Sequence, residues 1–257
     1  MIMEDLSQKL DFARAVAQEA GALALRMLRE AGPGFTSTKG HQDFVTEADE
    51  AVEHLIRSRI EGAYPGDGVL GEEGGQSGGG SGVWVVDPID GTGNYLRGLP
   101  DWGISLAYVE GGQIRLGVLC FPGHRETAWA MQGGGAWLNG EPMRVSTRTD
   151  PDEALVILGR SERTGLDGYL VALREVLRRG AEYRRHGAAA YGLFLVASGR
   201  AETYFEAHVN CWDVFGGMIL VEEAGGSVRA APVPEALVEG TAIEASNGVI
   251  TGLLAEG

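Results

Sequence analysis

Between Leu6 and Glu30, apolar residues return every three or four positions: Leu6, Leu10, Ala13, Ala17, Ala20, Ala24 and Met27. That is the period of a helix with one buried face, and Gly32-Pro33-Gly34 predicts its end. Thr46-Glu47-Ala48-Asp49 resembles a capping box with Asp in place of Glu, opening a second helix with a buried stripe of Val52, Leu55, Ile56 and Ile60. The period then shortens. Residues 67–72 read as a short strand, and the Gly/Ser-rich residues 74–82 as a mobile surface loop rather than a linker. Residues 83–86, 103–110, 113–120 and 126–131 read as strands, with Glu110-Gly111-Gly112-Gln113 making a hairpin between two of them. A turn-rich connection follows at 133–145, then a short apolar run at 156–159. Helices are predicted at 168–179, 188–198 and 211–224, the last closed by Gly225-Gly226. Irregular alternation around antiparallel-looking central runs predicts an α/β (α+β) architecture in layers.

Length and composition narrow the classes. The 257 residues suit one large domain or two tightly joined halves. A net charge of −15 argues against a protein that grips a nucleic-acid backbone or a membrane surface, both of which call for clustered Lys and Arg. The excess acid serves solubility, or it gathers carboxylates as metal ligands. Two cysteines, Cys120 and Cys211, make neither a disulfide framework nor a zinc knuckle. Residues 1–11 are polar, and no apolar run approaches ~20 residues. A cytoplasmic location is therefore expected.

Carboxylates punctuate strand ends and helix starts in three separate places. Glu72 and Glu73 follow a strand and a glycine. Asp87 and Asp90 follow Val83-Trp84-Val85-Val86, with Pro88 between them and Gly91-Thr92-Gly93 next. Asp213, in Cys211-Trp212-Asp213, sits where a helix begins. Each alone reads as turn or cap chemistry. Together they offer hard oxygen ligands beside free backbone amides, which suits Mg²⁺ and a phosphate held together. The five histidines form no ligand-spaced pair for zinc, and no nucleotide-binding P-loop is present.

These residues carry a resemblance. Gly71-Glu72-Glu73, Trp84-Val85-Val86-Asp87-Pro88-Ile89-Asp90-Gly91-Thr92, Trp212-Asp213 and Glu222-Glu223-Ala224-Gly225-Gly226 look like an inositol monophosphatase-type phosphatase. Asp43-Phe44-Val45-Thr46-Glu47-Ala48-Asp49 and Gly135-Ala136-Trp137-Leu138-Asn139-Gly140 extend the likeness. The wider superfamily is the lithium-sensitive, Mg²⁺-dependent sugar phosphatases. The resemblance implies the layered α/β/α/β/α sandwich shared with fructose-1,6-bisphosphatase. An amino-terminal half, 1–145, would carry the metal loop, and 146–257 would complete the metal site and substrate pocket. It implies two or three Mg²⁺ on Glu72, Asp87, Asp90 and Asp213 with the Ile89 carbonyl. Glu72 and Thr92 would activate the attacking water, with Asp49 behind Thr92. The amides of Gly91, Thr92 and Gly93 would receive the phosphate, and Asp90, Ala189 and Glu206 would contact the substrate. A homodimer is the family expectation.

Some positions depart from the family. Gly93 stands where a second Thr is usual, which predicts a floppier loop. Phe215-Gly216-Gly217 replaces an Ala-Ala-Gly run, so helix packing behind the metals is expected to differ. Gly187-Ala188-Ala189 lacks a hydroxyl residue, and Arg160 or Ser161 fills another substrate-facing position. Arg184, Arg185 and His186 either meet an anionic substrate or face solvent. Trp84, Trp102, Trp129 and Trp137 read as packing groups, and Cys211 as a buried thiol. The expected activity is hydrolysis of a small polyol or sugar phosphate, inositol 1-phosphate first, helped by the Asn94-Tyr95 pair. The rivals are fructose-1,6-bisphosphatase, histidinol-phosphate phosphatase, 3′-phosphoadenosine phosphatase and, outside enzymes, a binding protein of transcription complexes.

Overall fold

The computed structural model describes residues 2–30, 36–40, 43–80, 82–161 and 163–250, with side chains over the same ranges except 2–4, 36–40 and 43–46. The Gly32-Pro33-Gly34 stop and the Thr46 side chain of the capping box lie outside the described residues. Helices are α1 (Ile2–Glu30), α2 (Glu47–Ala63), the single turn α3 (Thr92–Tyr95), α4 (Leu166–Arg178), α5 (Ala189–Ala197), α6 (Cys211–Glu223) and α7 (Val233–Glu239). Two larger sheets separate them into layers.

The larger sheet has eight strands, ordered Glu141–Met143, Gly135–Leu138, Glu126–Met131, Gln113–Phe121, Gly103–Glu110, Gly82–Asp90, Gly68–Gly71 and Gly75–Ser77. Neighbours run antiparallel except Gly68–Gly71, which lies parallel to Gly82–Asp90. The second sheet has five strands, ordered Glu182–Arg184, Leu155–Leu158, Thr203–Val209, Thr241–Ser246 and Ser227–Arg229. Its first three are parallel and its last two antiparallel to their neighbours.

Three apolar clusters fill the gaps between layers. The α1 stripe (Leu6, Ala13, Ala17, Ala20, Ala24) and α2 (Val52, Ile56, Ile60) bury against one face of the larger sheet, around Trp84, Trp102 and Tyr108. The other face of that sheet packs on α5 and α6, which also cover the second sheet. Val176 and Tyr169 of α4 close the far side over Val156 and Leu158. The order helix, sheet, helix, sheet, helix is the α/β/α/β/α sandwich expected from the resemblance.

Two expectations for loops are corrected. Residues 74–82 do not form a bare loop: Gly75–Ser77 pairs antiparallel with Gly68–Gly71, because Arg57 donates to Ser77 Oγ and the Gly75 carbonyl and staples the hairpin down. Residues 133–145 likewise fold as the hairpin Gly135–Leu138 and Glu141–Met143, with the Glu223 carboxylate accepting from the amides of Gly133 and Gly135. The second sheet's Glu182–Arg184, Thr203–Val209, Ser227–Arg229 and Thr241–Ser246, and helix α7, carry no period long enough to have been read from sequence.

The glycines at Phe215-Gly216-Gly217 let α6 enter the middle layer. A Cβ on Gly217 would lie 2.6 Å from Leu193 of α5, and one on Gly117 of the larger sheet would lie 2.5 Å from the Gly216 carbonyl oxygen. Helix and sheet backbones therefore meet without side chains between them. Gly117→Val is expected to destabilise the protein by about 3 kcal/mol, because the middle layer has no room to relax. Urea unfolding followed by circular dichroism measures it.

Candidate active site

Pro88 has no N–H to give to the neighbouring strand. The ladder slips there: Asp87 pairs with Ser105 and Asp90 with Gly103, three steps on one strand against two on the other. On a regular strand, residues three apart point to opposite faces. The extra residue corrects the parity, so the Asp87 and Asp90 carboxylates come close enough to feel one another's charge.

The other carboxylates arrive from separate elements. Glu72 follows Gly68–Gly71, with its amide held by the Val86 carbonyl at 3.3 Å. Asp213 stands in the first turn of α6, where its Oδ2 accepts from the Asn210 amide at 2.8 Å. Ligand atoms of Glu72, Asp87 and Asp213 lie within 4.8 Å of one another, the group of this kind found among the described residues. Asp90 stands beside it with its oxygens accepting from the amides of Ala189 and Ala190 at 3.0 and 2.9 Å. Each carboxylate oxygen keeps a second lone pair, so these bonds orient Asp90 without closing it. The Ala189 amide is thus spent on Asp90, although Ala189 itself lines the cavity.

The turn after Asp90 has its own requirement. Gly91 adopts φ +86°, and a Cβ there would meet Ala188 Cβ at 2.9 Å and the Asp101 carbonyl at 3.0 Å. Only glycine fits. Thr92 and Gly93 begin the single turn α3, and N–H groups of a first turn have no partner within the helix. Thr92 Oγ1 lies 3.2 Å from Asp49 Oδ1 and 3.0 Å from the Ile89 carbonyl, so its one hydrogen is shared between these two acceptors. Asn94 Nδ2 donates to the carbonyls of Asp101 and His186, tying this turn to residues 184–189.

Glu72, Asp90 and Asp213 line one cavity of about 760 Å³. Its lining combines the carboxylates Glu72, Asp90, Glu206 and Asp213 with the basic residues Arg160, Arg163, Arg185 and His186. Arg184 points elsewhere, exposed and paired with Glu182 at 2.8 Å, so the basic cluster divides between solvent and cavity. Both Arg160 and Ser161 line the wall. Trp212 packs against the core beside Asp213, and Cys211 is buried, its thiol pushed up to about 12 chiefly by that burial.

The electrostatics of the cluster are those of excess negative charge. Burial first, then the charges of Glu72, Asp90 and Asp213, drive the Asp87 carboxyl well above its ordinary range. Burial lifts Asp90 to about 7 against the amides that hydrogen-bond it. Asp213 also rises to about 7, through burial and then the Asp90 charge. Glu206 rises to about 7 by burial, opposed by the Tyr204 hydroxyl, 2.6 Å away, and by Arg185.

Sequence reasoning missed the brace behind Glu72. The Glu53 carboxylate is 2% exposed and accepts from the Glu73 and Gly74 amides at 2.8 and 2.7 Å and from Arg57 Nε at 2.7 Å. One signal was present: Asp49 and Glu53 sit on the buried stripe of α2 with Val52 and Ile56, where charge is out of place. Asp101 was also missed; its two oxygens meet His124 and His186 at 2.9 and 2.8 Å.

Known proteins are similar to this chain in sequence and fold. The model of the Inositol monophosphatase family matches residues 5–256. A protein of Xylella fastidiosa named Nus factor SuhB is 40% identical over 214 residues, 82% of this chain and 78% of its own. An inositol-1-monophosphatase of Rhizobium meliloti is 40% identical over 194 residues, 74% of this chain and 73% of its own. The solved structure of the extragenic suppressor protein suhB from Bartonella henselae superposes with a TM-score of 0.90 at 31% identity, covering 97% of this chain and 99% of that one. With that match spanning nearly its whole length, the chain belongs to the inositol monophosphatase family.

Proposed function

We propose that the chain is a Mg²⁺-dependent phosphomonoesterase of small polyol or sugar phosphates, with inositol 1-phosphate as the reference substrate, acting in the cytoplasm as a homodimer. The observation that carries the reading is the three-carboxylate group of Glu72, Asp87 and Asp213, with Asp90 beside it leading directly into the first turn of α3. The donor set fits the metal: it is all oxygen, with no His or Cys, and its ligand atoms lie within 4.8 Å of one another. Glu72, Asp87, Asp213, Asp90 and the Ile89 carbonyl would hold Mg²⁺. Bound there, Mg²⁺ supplies Lewis-acid stabilisation of the phosphoryl charge and of the leaving alkoxide, and acidifies a water.

The chain's own groups do the rest. Amides of Gly91, Thr92 and Gly93 receive phosphate oxygens. Thr92, its hydrogen committed toward Asp49 and the Ile89 carbonyl, offers lone pairs that orient the attacking water. Glu72 accepts the water's proton. Glu206, fixed by Tyr204, accepts from substrate hydroxyls. Attack is direct and in line, with no phospho-enzyme.

A binding role in a transcription complex is the second reading, favoured by the Xylella relative's name. Asp90→Asn separates the two. It is expected to lower Mg²⁺-dependent kcat/KM on inositol 1-phosphate by about 100-fold or more, since it weakens both metal and turn. Normal turnover by this variant would sink the enzyme reading, whereas a pure binding role predicts normal growth of the Asp90→Asn strain. Thr92→Ala is expected to lower kcat about 100-fold with KM little changed; steady-state kinetics decides.

Carboxyls raised in the folded state make folding take up protons. That stabilisation is complete below the unfolded carboxyl value, ~4, and drains away as pH rises toward about 7. Metal-free protein should therefore melt lower at pH 8 than at pH 5.5. Mg²⁺ at about 100 times its Kd should restore roughly 2.7 kcal/mol, a rise in Tm of about 5 °C or more, read by calorimetry with and without EDTA.

A further inference from the structure

Asp90 is aimed from outside its own strand. Helix α5 has no capping side chain of its own, and the Asp90 carboxylate takes that place at its first two amides, those of Ala189 and Ala190. Where α5 starts therefore decides where Asp90 points. The chain enters α5 through His186, three residues before Ala189. His186 is held on three sides. Its Nδ1 meets Asp101 Oδ2 at 2.8 Å, its carbonyl accepts from Asn94 Nδ2 at 2.7 Å, and its ring stands edge-on to Tyr191 of α5 with centroids 5.2 Å apart. The second Asp101 oxygen meets His124 Nε2 at 2.9 Å, and that imidazole stacks on Tyr191 with centroids 5.0 Å apart. A carboxylate only accepts, so both facing ring nitrogens carry hydrogen. One side chain thus clasps the turn at 122–125 and the entry to α5, while Asn94 joins α3 to the same place through the carbonyls of Asp101 and His186. Neither Asp101 nor His186 has a part in the reaction proposed above.

We propose that Asp101 is a positioning residue: by gripping His186 it fixes the start of α5, and through the Ala189 and Ala190 amides it keeps Asp90 turned toward the other carboxylates. The consequence for a cation rests on the phosphatase reading; the clasp itself does not. The charge of Glu72 works against Asp90. A carboxylate whose amide donors have shifted would swing away from that charge, and binding a cation would then have to order it again. Partners behind a metal ligand change metal affinity by roughly 10- to 100-fold when they are removed. Side chains 26% and 22% exposed let Asp101 and His186 be replaced without opening the apolar core.

Mn²⁺ binding to the full-length protein, measured by calorimetry without substrate, makes the test. Asp101→Ala removes the grip and keeps the carbonyl that Asn94 uses. His186→Phe keeps a ring against Tyr191 and loses the nitrogen. Each is expected to weaken Mn²⁺ by about tenfold, whereas His186→Asn, whose amide can still donate to Asp101, stays within about twofold of wild type. Neither loss is expected in a protein that already carries Asp90→Asn, because the clasp acts through that carboxylate. Hydrogen exchange reads the same link without metal: the Ala189 and Ala190 amides should exchange about fivefold faster or more in Asp101→Ala. Wild-type Mn²⁺ affinity in both Asp101→Ala and His186→Phe, equal weakening by His186→Asn, or losses that persist beside Asp90→Asn overturns the clasp. If the wild type binds no Mn²⁺, the phosphatase reading fails; faster exchange at Ala189 and Ala190 then upholds the clasp and unchanged exchange overturns it.

Discussion

Like charges forced together in a water-poor cavity repel strongly. Two carboxylates about 4 Å apart cost about 4 kcal/mol at an effective dielectric near 20. Here Glu72, Asp87 and Asp213 lie that close, with Asp90 beside them. No single element could hold such a group, and none does. The slip at Pro88 brings two carboxylates together, the Glu53 brace fixes the third, and the Asn210 amide fixes the fourth at the head of α6. The positive ends of α5 and α6 both face the cluster and offset part of the repulsion. On the proposed reading a cation would offset the rest.

Layer packing sets the distances. Helix α6 reaches the cavity only because Gly117, Gly216 and Gly217 let it lie against both the larger sheet and α5. Ser105, the residue opposite Asp87, donates to the Trp212 carbonyl and joins sheet to helix beside Asp213. Gly91 plays the same part on the phosphate side by letting the turn touch Ala188. Core and site are one structure here, and a change in the middle layer moves the carboxylates.

What could be read in advance follows from the range of the forces involved. Helices α1, α2, α5 and α6 and the central antiparallel strands each carry a local period, and they emerged close to their expected bounds. The carboxylates of Glu72, Asp87, Asp90 and Asp213 were visible because turn and strand-end chemistry is local. Residues 182–184, 203–209 and 241–246 were not, because strands of three to seven residues with small or polar side chains in them are too short to establish a period. Glu53 was hidden for another reason: its partners lie about twenty residues away, and a Glu on a helix looks solvated until a backbone turn is laid over it. The meeting of segments 160–163 and 185–186 at the cavity is purely tertiary: Arg160 or Ser161 was expected to face the substrate and Arg185 and His186 were left between substrate and solvent, whereas Arg163 gave no signal.

The account turns on the carboxylate group being a cation site. Anomalous diffraction from a crystal of this protein soaked in Mn²⁺, at the manganese edge, tests that directly. A peak among the carboxylates of Glu72, Asp87 and Asp213, lost in the Asp213→Asn protein, is the predicted result. A clean map there, with manganese bound only elsewhere or not at all, would contradict it.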